Sequence, residues 1–75
     1  MKDFYAIVGS NLRILRLDKR ISLQTAADYI GKHRETIRRY ESSAENIDIK
    51  DLIGLLNLYN VNISIFFEEC YGKMP

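Results

Sequence analysis

The sequence predicts an all-α fold of five short helices, and three observations carry that prediction. Apolar residues recur at steps of three and four along most of the chain, the spacing that lines one face of a helix. The only proline is Pro75, at the last position, so no helix is broken by one. One stretch, Val61-Asn62-Ile63-Ser64-Ile65, alternates as a strand would, but it has no second strand to pair with, and a helix is preferred there. With 75 residues the chain makes a single domain, 1–75. Its core is modest, because a chain of this size buries only roughly 60% of the surface it exposes when unfolded.

The first helix is predicted from about Asp3 to Arg20, with Phe4, Val8, Leu12 and Leu15 as its apolar stripe. Asp3 suits the positive N-terminal end, and Arg13, Arg16, Lys19 and Arg20 suit the negative C-terminal end. The second, from Leu23 to Ile30, starts after Ser22, a good capping residue, and turns Ala26, Ala27 and Ile30 inward. Gly31 follows at once, where a left-handed residue stops a helix. The third runs from Arg34 to about Glu41. At about 100° per residue, Arg34, Glu35, Arg38 and Arg39 share an arc of about 140°, with Ile37 and Tyr40 opposite. Tyr40 is expected in the core. After a polar loop, Ser42 to Asn46, the fourth helix covers about Ile49 to Tyr59. Asp48 is its candidate cap, Asn60 its end, and Leu52, Ile53, Leu55 and Leu56 point inward. The fifth covers about Ile63 to Cys70.

Composition excludes several classes. A hydrophobic fraction of 47% is too high for a disordered chain, and no apolar run approaches the about 20 residues a membrane span needs. The start, Met1-Lys2-Asp3-Phe4-Tyr5, carries an acidic residue and no small-residue cleavage site, so it does not read as a signal peptide; a cytoplasmic location is expected. Cys70 is the only cysteine and His33 the only histidine, which excludes an internal disulfide and a cysteine-cluster zinc site. Cys70 is expected as a free, partly buried thiol. No cofactor, metal or small-molecule ligand is expected. Nor is an enzyme: no serine–histidine–carboxylate set, phosphate-binding glycine loop or metal constellation is present. The net charge of +1 conceals a gradient: residues 1–20 carry +3, residues 21–43 carry +1 and residues 44–75 carry −3. Such asymmetry fits a polyanionic partner, and solvated faces produce it too.

The informative unit is 22–41, a short helix, a tight glycine-containing turn and a second short helix. In a helix-turn-helix the second helix enters the DNA major groove. Three arginines on its outer arc suit that task, since a guanidinium can form paired hydrogen bonds to guanine. The alternative reading of the same residues is a solvated helix face, for example a Glu35–Arg39 surface pair.

The stretch Ile7 to Phe67, about four-fifths of the chain, resembles the lambda-repressor-like helix-turn-helix family, the Cro-type or xenobiotic-response-element-type regulators of bacteria and their phages. The residues carrying the resemblance are Gly9, Leu12 and Leu15-Arg16, then Ile21-Ser22, Ala27, Ile30-Gly31, Arg34, Thr36-Ile37 and Glu41. Leu52-Ile53 through Leu58 and Val61-Asn62-Ile63 continue it. The resemblance implies base contacts by Arg34, Glu35, Arg38 and Arg39. It implies phosphate contacts by Ser22, Gln24, Lys32, His33 and Thr36, those at the start of helix two through backbone N–H groups at its positive end. It implies a structural ion pair between Arg16 and Glu41. It further implies a homodimer on double-stranded DNA, with the C-terminal helices at 49–70 as the dimerisation region and Ile63, Ile65, Phe66, Phe67 and Tyr71 as its apolar surface; Phe66, Phe67 and Tyr71 can equally be core. The chain departs from the family pattern at Ser43, usually glycine, at Ile47, often proline, at Leu23, often polar, and at Ala26, often leucine. The loop Ser42-Ser43-Ala44-Glu45-Asn46, often basic in the family, has no cation here, which predicts lower electrostatic affinity.

Two functions follow as expectations. The first is a sequence-specific regulator, a repressor at a palindromic operator. The second is a protein-interaction module on the same scaffold, such as an anti-repressor or inhibitor from a phage or mobile element, which the cation-free loop and near-neutral charge favour.

Overall fold

Side-chain caps and left-handed turns set many of the helix ends. The computed structural model describes residues 2–75, with five helices in the order α1 (Lys2–Asp18), α2 (Leu23–Ile30), α3 (Arg34–Ser42), α4 (Ile49–Leu58) and α5 (Ile63–Gly72). Three starts carry side-chain caps. Ser22 Oγ accepts from the Thr25 amide at 3.0 Å, Asp48 Oδ1 from Lys50 at 2.9 Å and Asn62 Oδ1 from Ser64 at 2.8 Å. Three ends share one device. Arg20, Gly31 and Asn60 adopt left-handed backbone with φ of 58°, 68° and 58°. The next amide in each case, that of Ile21, Lys32 or Val61, reaches back to the carbonyl of Arg16, Ala27 or Leu56.

These ends explain the differences from the sequence reading. α1 stops at Asp18 rather than Arg20, because Arg20 is itself the left-handed stop. α4 stops at Leu58 for the same reason one turn before Val61. α5 continues two residues past Cys70 to Gly72. Val61 to Ile65 is the capped entry to α5, not a strand.

The core draws on every helix: Val8 and Leu12 from α1, Ala26 and Ala27 from α2, Ile37 and Tyr40 from α3, Leu52, Leu55 and Leu56 from α4, Phe66 and Cys70 from α5. Ala44, in the loop, joins them and donates its amide to the Tyr5 carbonyl at 3.1 Å, so the loop is tied to α1. One expectation on orientation is corrected, and one left open is decided. Ile53 is 46% exposed, because α4 is rotated so that Asp51 rather than Ile53 closes its buried arc. Phe66 is 1% exposed and lies in the core, so it offers no surface to a partner. Its ring meets Phe67 edge-on, and Phe67 and Tyr71 pack against Phe4 of α1.

α1 and α3 approach closely at Gly9. A Cβ there would lie 2.5 Å from the Tyr40 carbonyl oxygen and 2.8 Å from that of Glu41. This contact seats the end of α3 directly on α1. Asn11 links α1 to α5 in the interior, donating to Cys70 Sγ at 3.2 Å and accepting from Lys73. Cys70 is fully buried, and burial pushes its thiol pKa up.

Candidate nucleic-acid interface

The nine residues of α3 divide by face. Ile37 and Tyr40 are buried and hold the helix down, while Arg34, Glu35, Arg38 and Arg39 are all exposed on the outer side. An outer row of long polar side chains on a helix fixed from below is what reading a groove of base edges requires. Within the row, Arg38 Nη1 donates to Glu35 Oε1 at 2.7 Å, with both side chains more than half exposed. Glu35 therefore pairs with Arg38, three residues on, and not with Arg39, four residues on. Arg39 Nη2 donates to Thr36 Oγ1 at 3.2 Å. Arg34 has no side-chain hydrogen bond among the described residues. The three guanidinium groups remain open to solvent, because the partners they have lie on the same exposed face.

The helix starts flank this face. His33 caps α3 in position only; its side chain makes no capping hydrogen bond and stays exposed. At α2, Ser22 is occupied with Thr25, and Gln24 Nε2 donates to Asp28 Oδ1 at 2.8 Å. The amides of Leu23 and Gln24 sit in the first turn, where a helix has no acceptor of its own. A positive helix end with free amides is suited to an anion.

Behind the face, Arg16 and Glu41 form a two-point ion pair, Nε to Oε2 at 2.7 Å and Nη2 to Oε1 at 3.1 Å, with both side chains under one-tenth exposed. Arg16 Nη1 also donates to the Ile21 carbonyl at 2.9 Å. One guanidinium thus ties α1, the α1–α2 turn and α3 together. Its pKa is raised, chiefly by the hydrogen bond to Glu41. Beside this pair opens a concavity lined by Arg13, Leu23, Arg38 and Ser42. Arg13 was not singled out from sequence. The signal was available, since Arg13 is one turn before Arg16 on α1, but only the packing of α1 on α3 brings it beside Arg38.

A second network was also missed. Asp51 of α4 is 1% exposed; its Oδ2 accepts from Tyr40 Oη at 2.7 Å and from Lys32 Nζ. Burial pushes the Asp51 carboxyl up, but the hydrogen bonds from Lys32 and Tyr40, with the Lys32 charge, outweigh it and hold the pKa below its ordinary value. The same bond raises Lys32, and burial raises Tyr40. The ammonium of Lys32, a candidate phosphate contact, lies on Asp51. The sequence clue was an aspartate one helical turn before Leu55 on an otherwise apolar side of α4.

The C-terminal apolar residues do not form one surface. Ile63, Ile65 and Tyr71 are exposed by 40%, 54% and 63%, but Ile65 and Tyr71 stand about 120° apart around α5. Ile63 instead lines a groove between α4 and α5 with Ile53, Leu56 and Val61. Among the described residues there is no group of three or more His, Cys, Asp or Glu placed to hold a metal ion, and no helix is long and apolar enough to cross a membrane.

The family model described as helix-turn-helix matches residues 12–66. Solved structures of variants of the restriction-modification controller protein C.Esp1396I share the fold. A serine-to-alanine variant and a tyrosine-to-alanine variant each superpose with a TM-score of 0.83 at 23% identity, covering 93% of this chain and 91% of theirs. The trigonal form of an arginine-to-alanine variant gives 0.81 at 23% identity, covering 92% of each chain. Curated protein sequences give no match.

Proposed function

The chain belongs to the helix-turn-helix family, whose model spans residues 12–66, and from that premise we propose that it is a sequence-specific double-stranded-DNA-binding transcriptional regulator, acting as a repressor in the cytoplasm. The observation that carries this reading is the outer face of α3. Three open guanidinium groups and one carboxylate project from a helix whose other side is anchored by Ile37 and Tyr40. In this reading Arg34, Glu35, Arg38 and Arg39 reach base edges from the major groove. Ser22, Gln24, His33 and Thr36, at the starts of α2 and α3, meet phosphates and set the register. The structurally similar C.Esp1396I is by its title a restriction-modification controller protein, and a controller role of that kind is compatible with this surface.

Two recognition helices about 34 Å apart match successive turns of a palindromic site, so the working form is a homodimer. The apolar groove of Ile53, Val61 and Ile63, with exposed Ile49 on α4, supports a dimer surface on α4 and α5. Sedimentation as a monomer at high micromolar concentration would overturn that assignment.

A protein-interaction module on the same scaffold is the second reading. The loop 42–46, without a cation and with Glu45 exposed, is the feature that favours it. The deciding experiment titrates the chain against a fluorescent duplex from upstream of its own gene and an unrelated duplex, at two salt concentrations. Tighter binding to the first, weakening steeply with salt, is the expected result. Binding to neither at low salt would transfer the function to a protein partner.

A further inference from the structure

Lys32 is the only cation in the turn that joins α2 to α3. Its side chain is 38% exposed, yet its nitrogen is bonded to a carboxylate that is 1% exposed. That carboxylate also holds Tyr40 from α3, and its second oxygen, Oδ1, is buried with no partner among the described residues. Among those residues Lys32 is the only cation in contact with Asp51. A buried carboxylate is strongly destabilising when its cation is removed. Lys32 is therefore not free to leave Asp51 for another anion.

We propose that Asp51 is a positioning residue that withholds Lys32 from the DNA backbone, so that the interface neutralises one phosphate fewer than the cations beside it would allow. The proposal rests on the DNA-binding reading above. Counterions are released only by charges that pair with phosphates, so a lysine neutralised from within adds nothing to the salt dependence of binding. Phosphate contacts carry no sequence information. Releasing Lys32 therefore strengthens binding to operator and unrelated duplex alike, which separates this effect from any shift of α3, since a displaced recognition helix weakens operator binding alone.

The test compares the slope of log affinity against log salt for the full chain and three variants on both duplexes. Asp51→Asn keeps the shape and an acceptor for Tyr40 but frees Lys32. Its slope is expected to be steeper by about 0.9, so that the affinity ratio between 50 and 200 mM salt grows about 3.5-fold on both duplexes. The double variant Lys32→Met, Asp51→Asn returns to the slope of the unaltered chain, and Lys32→Met alone leaves that slope unchanged. A folded Asp51→Asn variant with the unaltered slope, or a Lys32→Met variant shallower by about 0.9, overturns the proposal. One readout needs no variant: the Lys32 side-chain NMR resonances stay in place when duplex is added, and a shift as large as that of Arg34 overturns the proposal. Absence of duplex binding by the unaltered chain is a different failure, because it removes the DNA reading itself.

Discussion

Two kinds of arginine serve this domain, and burial separates them. Arg16 is 6% exposed and spends its planar fork on Glu41 and the Ile21 carbonyl. Arg34 and Arg39 are exposed and spend little on the protein. Removing one partner of a buried ion pair leaves the other charge uncompensated, at about 3–5 kcal/mol. Glu41→Gln is accordingly expected to lower the thermal midpoint by more than 10 °C, at about 4–8 °C per kcal/mol for a domain of this size. A calorimetric scan checks it, and a shift of under about 4 °C would show that the pair contributes little. Arg34→Ala and Arg39→Ala should do the reverse. Each is expected to leave the melting curve in place and to weaken operator binding by about 1–3 kcal/mol, with less effect on an unrelated duplex. Equal losses on both duplexes would assign these arginines to phosphates instead.

At the scale of the helices, the position of α3 depends on how near other backbone can come. Gly9 lets α1 meet the Tyr40 and Glu41 carbonyls with no side chain between. A methyl group there collides with backbone that cannot rotate away, so α1 and α3 must separate. Gly9→Ala is expected to cost about 1–3 kcal/mol, readable as a lower denaturant midpoint, and to loosen operator binding because the recognition helix is displaced. An unchanged midpoint would mean that the crossing adapts freely. Gly31 differs in kind. It has open space around its Cα, but its φ of 68° is left-handed. Arg20 and Asn60 hold the same conformation with side chains present, so the fold tolerates this strain at two of its three left-handed helix ends.

At the scale of the whole molecule, the principal extents are 33, 21 and 20 Å, and the longest is about one turn of duplex. Stability across pH is also a property of the whole domain. Asp51 has its folded pKa lowered, so its contribution is present above the unfolded value of about 3.9 and is lost as pH falls through the folded one. Tyr59, fully buried, is pushed up to about 12, first by burial and then by the Glu41 charge. Tyr40 and Cys70 are raised as well, with burial the first cause in each. Raised groups contribute below their unfolded values, about 8.5 for a thiol and about 10 for tyrosine, and that contribution is lost as pH rises. Chemical denaturation from pH 3 to 11 is therefore expected to show a plateau near neutrality, a fall below about pH 4 and a second fall above about pH 9. Stability that holds level to pH 11 would place Tyr59 and Cys70 in contact with solvent.

The sequence by itself determined the five helices, because apolar spacing, Ser22, Asp48 and Gly31 are local signals that act within one or two turns. It also determined the division of α3 into Ile37 and Tyr40 on one side and four long polar residues on the other, since that depends only on helical periodicity. Tertiary structure decided everything that required knowing how far each helix rotates about its own axis. Ile53 and Asp51 lie on opposite flanks of the α4 stripe, and the packing of α2 and α3 on α4 buried the charged one. Phe66 and Tyr71 both belong to an apolar α5, and contact with α1 sent the first into the core and left the second at the edge. The Lys32–Asp51–Tyr40 network and the approach of Arg13 to Arg38 join residues that are far apart in the chain. Periodicity fixes which residues share a face, but only the packed neighbours fix what that face meets.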